Sequence, residues 1–176
     1  TTPPLGGAAD WNTLANKPAT FPPSAHTHAP FFAASLPADS ATGANVTPIN
    51  LRGLVWTYEA NSTYIFRWVG NVSPGLATTG CGFQLDVSSL ITSISMEFYH
   101  QLATTGTLIS GNSIADDASA VVTTGMPANG GVYPVYGSGL LRTGASPGTA
   151  QLRFRSETTA VTTAKAGLTL IVEKVL

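Results

Sequence analysis

Apolar side chains return at every second position through most of this chain, and that period decides the fold class. From Thr63 to Val69, Tyr64, Phe66 and Trp68 share one face while Ile65, Arg67 and Val69 share the other. Between Thr92 and His100, Ile94, Met96 and Phe98 oppose Ser93, Ser95 and Glu97. Leu152 and Phe154 alternate with Gln151, Arg153 and Arg155; Leu168, Leu170 and Val172 alternate with Thr169, Ile171 and Glu173. Successive side chains of a strand point to opposite faces, so this pattern predicts half-buried antiparallel strands. Further strands are expected over Leu54–Tyr58, Gly82–Val87, Thr107–Ser110, Ala120–Thr124 and Val132–Leu141. Ser73-Pro74-Gly75, Asn129-Gly130-Gly131 and Ser146-Pro147-Gly148 punctuate them as turns. The tripeptide Thr-Thr-Gly at Thr78, Thr104 and Thr123 reads as repeated turn chemistry, because the flanking sequences do not repeat. No helical period persists beyond two turns. The expected fold is all-β: an antiparallel sandwich or jelly-roll-like head of about eight strands.

Residues 1–50 have a different chemistry from residues 51–176. They hold most of the chain's 12 prolines, which break helices and remove sheet donors. An extended, polyproline-like N-terminal arm is expected, followed by the sandwich head. The arm also carries Trp11, Leu14, Phe21, Phe31 and Phe32, apolar groups that an inert linker does not need. They are expected to pack on a partner or on symmetry copies of the chain.

Composition removes several function classes. A net charge of −1, with 8 Lys and Arg against 9 Asp and Glu, offers no basic field for nucleic acid or anionic lipid. No apolar run reaches the roughly 20 residues of a membrane-spanning helix. A single cysteine, Cys81, excludes an intrachain disulfide and a Cys-rich zinc site, and is expected to be a small buried residue. His100, at the end of a strand, is expected to cap the rim or bond locally.

The arm carries a resemblance. Asp10-Trp11-Asn12-Thr13-Leu14-Ala15-Asn16-Lys17-Pro18-Ala19-Thr20-Phe21-Pro22-Pro23, followed by His26-Thr27-His28, resembles a segment common in fibre proteins of tailed bacteriophages. Asn61-Ser62-Thr63-Tyr64 entering a strand, and Leu140 to Phe154 with Gly148-Thr149-Ala150-Gln151-Leu152, resemble the C-terminal domains of small phage fibres. The resemblance implies a homotrimer and a virion location. Trp11, Leu14, Pro18, Phe21, Pro22 and Pro23 would then anchor the arm to another virion protein or intertwine the trimer. Winding three proline-rich chains about one axis is a physical route to burying their aromatic rings.

His26 and His28 project to one side of an extended chain, about 7 Å apart, so one chain alone makes a poor metal site. Three chains would offer six imidazoles on the axis, a set suited to a transition metal such as iron or nickel. The resemblance raises that option. With a single pair, the plainer reading of two solvated or hydrogen-bonded arm residues carries more weight, and no other cofactor is expected.

The enzyme motifs fail on their mechanics. Gly144-Ala145-Ser146-Pro147-Gly148 matches Gly-x-Ser-x-Gly, but Pro147 lacks the N–H that the oxyanion hole requires and no helix follows. Asp116-Asp117 has neither the spacing of a calcium loop nor a partner carboxylate at glycosidase distance. No phosphate-binding or dinucleotide motif is present. The chain is expected not to be an enzyme. The leading expectation is a short trimeric tail fibre of a phage virion, whose head loops touch a host surface glycan or protein. Trp56, Tyr133 and Tyr136 near turns are the candidate receptor contacts, against a competing role in core packing. The alternatives are a capsid head fibre or decoration protein with a stabilising role, and a monomeric carbohydrate-binding module.

Overall fold

The computed structural model describes residues 31–101, 108–113, 121–122, 125–126 and 130–175. These form twelve strands: β1 (Phe31–Ser35), β2 (Ser40–Ala41), β3 (Ile49–Tyr58), β4 (Thr63–Pro74), β5 (Cys81–Val87) and β6 (Ile91–Gln101), then β7 (Leu108–Ser113), β8 (Val121–Val122), β9 (Tyr133–Thr143), β10 (Gly148–Ser156), β11 (Thr162–Ala164) and β12 (Thr169–Lys174). The larger sheet runs β1-β12-β4-β9-β6-β7, with β11 and β2 added beside β4, and the smaller runs β3-β10-β5-β8. Every pairing is antiparallel. Chain neighbours β3 and β4, β4 and β5, β5 and β6, and β9 and β10 lie in opposite sheets. The architecture is therefore all-β and sandwich-like, as the period-two pattern requires. Among the described residues no helix is long and apolar enough to cross a membrane.

The sandwich starts before residue 51. β1 pairs with β12 from Phe31↔Glu173 to Ser35↔Thr169, and β3 begins at Ile49. Within 31–50 of the expected arm, residues 31–35, 40–41 and 49–50 thus lie in strands, and Leu36 is in the core. Residues 1–30 lie outside the described residues, and so do the expected anchoring residues Trp11, Leu14, Pro18, Phe21, Pro22 and Pro23 and the His26/His28 pair.

Alternation settles which faces meet. Tyr64, Phe66 and Trp68 of β4, Ile94, Met96 and Phe98 of β6, Leu152 and Phe154 of β10, and Leu170 and Val172 of β12 are all buried. Each such large side chain contributes about 1.5–3 kcal/mol through removal from water. A line of rings crosses the core: Trp56 to Phe66 at 5.8 Å, Phe66 to Trp68 at 6.1 Å, Trp68 to Phe83 at 5.3 Å. Phe83 then meets Phe98 of the larger sheet at 5.1 Å and Phe154 of the smaller at 5.2 Å, so one side chain ties both layers. Room for the widest rings comes from β9, where Gly137 and Gly139 lie opposite Trp68 and Phe66. A methyl at Gly137 would overlap the Trp68 indole, and one at Gly139 the Phe66 ring.

β3 breaks the simple period once. Leu51 and Leu54 are both buried although they are three apart, and Gly53 between them has φ +82°. The pairing with β10 shifts at the same place, between Gln151 and Arg153, which is a β-bulge. The Gln151 amide donates to the carbonyl oxygens of Leu51 and Leu54 at 2.9 and 3.0 Å, satisfying acceptors that the bulge removes from the ladder.

The corner between β3 and β4 is held by side chains. Asn61 takes the left-handed conformation, φ 51°, in the turn between β3 and β4. Thr143 Oγ1 donates to Glu59 O at 2.7 Å and accepts from Ser62 N at 2.8 Å, tying that turn to the end of β9.

Candidate functional site

On the outer face of the larger sheet, parity brings two tyrosines together. Tyr99 of β6 and Tyr136 of β9 are direct cross-strand partners, and Tyr136 is in turn paired with Val69 of β4. The two rings stack with centroids 4.9 Å apart and planes 20° from parallel. That separation matches the strand spacing of about 4.8 Å. Rings lying side by side in one plane cannot approach so closely, so the tyrosines stand face to face as a low wall across the two strands. Tyr136 is 47% exposed and Val69 is 55% exposed, leaving an apolar shelf beside the wall. The Tyr99 hydroxyl donates to Glu97 Oε2 at 2.9 Å, which fixes the ring and raises the hydroxyl's pKa above the ordinary tyrosine value.

Polar groups lie one row further along the strands. Arg67, Ser138 and Glu97 are aligned across β4, β9 and β6 by register, two residues (about 7 Å) from the tyrosine row. Arg67 pairs with Glu173 at 3.0 Å, so its charge is balanced on the surface.

A second aromatic concavity opens where the two sheets end side by side. β1 is the edge of the larger sheet and β3 the edge of the smaller. Between them lies a cleft of about 290 Å³, lined by Phe31, Phe32, Trp56, Tyr58, Glu59 and Tyr64 among others.

The sequence candidates divide accordingly. Trp56 is not a surface receptor contact: it is 4% exposed and its ring packs on Phe66, because its position on β3 shares parity with Leu54 and Tyr58. Tyr133 is half-buried against the core, with its ring over Gly131. Tyr136 is on the surface. Tyr99 was not singled out by sequence reasoning, although an aromatic on the Ser93, Ser95, Glu97 face of β6 is the signal that marks it. The cleft was not foreseen, because β1 reaches the sheet edge only through its pairing with β12.

The groups with catalytic potential have structural work. Cys81 is fully buried, and burial pushes its thiol pKa far above the ordinary value, away from thiolate chemistry. His100 is buried with its ring 6.3 Å from Phe98. Ser146 occupies the turn between β9 and β10, strand to strand rather than strand to helix. Every described carboxylate is engaged: Asp39 with Lys165, Glu59 with Lys174, Asp86 with Arg153, Glu173 with Arg67, Glu97 with Tyr99 and Glu157 with the Gly80 amide. Among the described residues no group of three or more His, Cys, Asp or Glu is placed to hold a metal. Asp116 and Asp117 lie outside the described residues. Among the described residues no nucleophile, acid–base pair or metal-ligand cluster is assembled.

No protein-family model matches the chain, and no curated protein matches its sequence. Some solved structures show a distant likeness to it. TmCBM61, solved with β-1,4-galactotriose, is 8% identical at a TM-score of 0.39, over 73% of this chain and 88% of that one. CsCBM6-3 from Clostridium stercorarium, solved with cellobiose, is 17% identical at a TM-score of 0.27, over 73% and 94%. The infectious bursal disease virus Gx strain structure is 8% identical at a TM-score of 0.23, over 84% of this chain and 39% of that one.

The expectation of a phage tail fibre with a host-attachment role is corrected here. The three solved structures named above are two carbohydrate-binding modules and a structure of infectious bursal disease virus, and none of them is a tail fibre. Part of the resemblance falls on described residues. Asn61-Ser62-Thr63-Tyr64 is a left-handed turn held by Thr143, and Gly148 is the position where the Tyr58 hydroxyl leaves no room for a Cβ.

Proposed function

We propose that this chain is a non-catalytic carbohydrate-binding module, and that the tyrosine wall on the larger sheet is where it holds a sugar chain. The observation that carries the reading is the stacked Tyr99–Tyr136 pair, placed on the solvent face with one tyrosine face open toward Val69. A pyranose ring has an apolar C–H face and a rim of hydroxyls. The C–H face matches a tyrosine face over an apolar shelf. Arg67, Ser138 and Glu97, one row along, give the hydroxyls both donors and acceptors. A solvent-exposed aromatic cluster bordered by polar side chains is the kind of surface patch that marks a binding site.

The test is electrophoresis through gels containing soluble xylan, galactan or glucan. Wild-type chain is expected to be retarded by at least one of them. Tyr136→Ala, which removes a surface ring and leaves the core intact, is expected to weaken that retardation at least about 10-fold, the loss of roughly one good aromatic contact. Equal retardation of the two proteins, or none with any polymer, refutes the reading.

A further inference from the structure

The outer face of the larger sheet dips along β9. Gly137, Ser138 and Gly139 are small residues in sequence at the middle of that strand. The glycines are required from inside, where a Cβ would overlap the Trp68 and Phe66 rings. Outward, the one side chain between them is the half-buried Ser138. The neighbouring strands stand higher, with Ile65 and Arg67 of β4 and Ser95 and Glu97 of β6 all exposed. Register sets these residues in rows: Val69, Tyr136 and Tyr99, then Arg67, Ser138 and Glu97, then Ile65, Leu140 and Ser95. A trough of about 340 Å³ occupies the last two rows, lined by Ile65, Ser95, Glu97, Ser138, Gly139 and Leu140 among others. The tyrosine wall stands in the row before it.

We infer that this surface holds several linked rings of an uncharged polysaccharide laid along β9, from Tyr136 across Ser138 to Leu140. This rests on the carbohydrate reading above and adds to it the length and the charge of the ligand. Length follows from the rows. Tyr136 and Leu140 are four residues apart, about 13 Å along the strand. One pyranose on the tyrosine face reaches no further than the Ser138 row, so filling the trough takes rings linked to it. Each row offers a sugar something different: an aromatic face at Tyr136, polar groups at Ser138 and Glu97, and apolar contact at Ile65 and Leu140. Charge follows from Glu97, the one charged residue on the trough lining. Its Oε2 accepts from the Tyr99 hydroxyl, and among the described residues no lysine or arginine is paired with it. The cation aligned with it by register, Arg67, lies across Ser138 and is paired with Glu173. A carboxylate in this place accepts from sugar hydroxyls and repels a chain of uronic acids or sulfated rings.

The test is calorimetric titration of the intact chain with gluco-, galacto- and xylo-oligosaccharides of increasing length, from monosaccharide to hexasaccharide. In at least one series, affinity is expected to rise at least about 10-fold between monosaccharide and tetrasaccharide and then to level off. A rise no greater than the statistical gain from offering more rings overturns the inference, and that comparison needs no variant. Ser138→Leu fills the trough floor from an outward-facing position and is expected to remove the gain with length. A gain that persists in the folded variant overturns the inference as well. Glu97→Gln removes the charge and keeps an acceptor for the Tyr99 hydroxyl. Its affinity for polygalacturonate relative to the neutral polymer is expected to rise at least about 5-fold, and an unchanged ratio overturns the charge assignment. Binding that Tyr136→Ala abolishes but that length does not strengthen leaves the tyrosine wall as a single-ring site and refutes the trough alone. Absence of binding to every oligosaccharide refutes both.

Discussion

Gly137→Ala is the sharpest test of how this core is assembled. In an ordinary strand, replacing glycine by alanine stabilises by a few tenths to about 1 kcal/mol, because the unfolded chain loses freedom. Here the sign is expected to reverse. Gly137 faces inward opposite Trp68, and an added Cβ would meet three carbons of the indole's six-membered ring closer than any normal contact. The indole cannot swing away, since Phe66 stacks at 6.1 Å and Phe83 lies 5.3 Å from it. Overpacking of a filled core costs about 1–3 kcal/mol, and with a rigid ring as the obstacle the net loss is placed near 2 kcal/mol. For a chain of this size that corresponds to a fall in Tm of about 4–8 °C. The assay is urea unfolding of four proteins: wild type, Gly137→Ala, Trp68→Leu and the double variant. Once the indole is gone the methyl has space, so Gly137→Ala in the Trp68→Leu background is expected to cost under about 0.5 kcal/mol, a coupling of roughly 1.5 kcal/mol. A neutral or stabilising Gly137→Ala, or additive costs, would show that the ring does not lie over the β9 backbone.

Two further outcomes follow from local chemistry. Thr143→Val keeps the shape of the side chain but removes the hydroxyl that bonds Glu59 O and Ser62 N, so a loss of about 1–3 kcal/mol is expected by urea unfolding, with the β3–β4 turn amides exchanging faster. The Asp39 carboxyl is held below its ordinary value of 3.8, first by the hydrogen bond from Lys165 and then by that from the Ala166 amide. A depressed folded pKa means the stabilisation is present above 3.8 and is lost as pH falls through the lower folded value. Asp39→Asn is therefore expected to lower Tm at neutral pH by an amount that shrinks to nothing in acid; a gap that stays constant from pH 7 to pH 2 counts against the pairing.

The strand faces were legible because burial in a sandwich obeys a two-residue period, and Tyr64, Phe66 and Trp68 or Ile94, Met96 and Phe98 display it without interruption. The front of β3 was not. Its bulge at Gly53 shifts the phase by one residue, so the alternation reads as starting at Leu54 although the strand starts at Ile49. β1 was absorbed into the proline-rich arm, because what makes Phe31–Ser35 a strand is β12, more than 130 residues away. The same distance in sequence hid the functional surfaces. Tyr99 becomes notable only when β9 brings Tyr136 beside it, and the cleft exists only where the two sheet edges meet. Trp56 failed as a surface candidate for the opposite reason: its proximity to a turn suggested exposure, while its parity with Leu54 and Tyr58 fixed it in the core.

The most direct measurement of the carbohydrate-binding account is saturation-transfer difference NMR on the intact chain with oligosaccharides of the three gel polymers, irradiating the aromatic protons. The account predicts transfer to the C–H protons on one face of a sugar ring, no release of reducing ends over the experiment, and loss of the transfer in the Tyr99→Ala/Tyr136→Ala double variant. No transfer to any oligosaccharide, or undiminished transfer in the double variant, contradicts it.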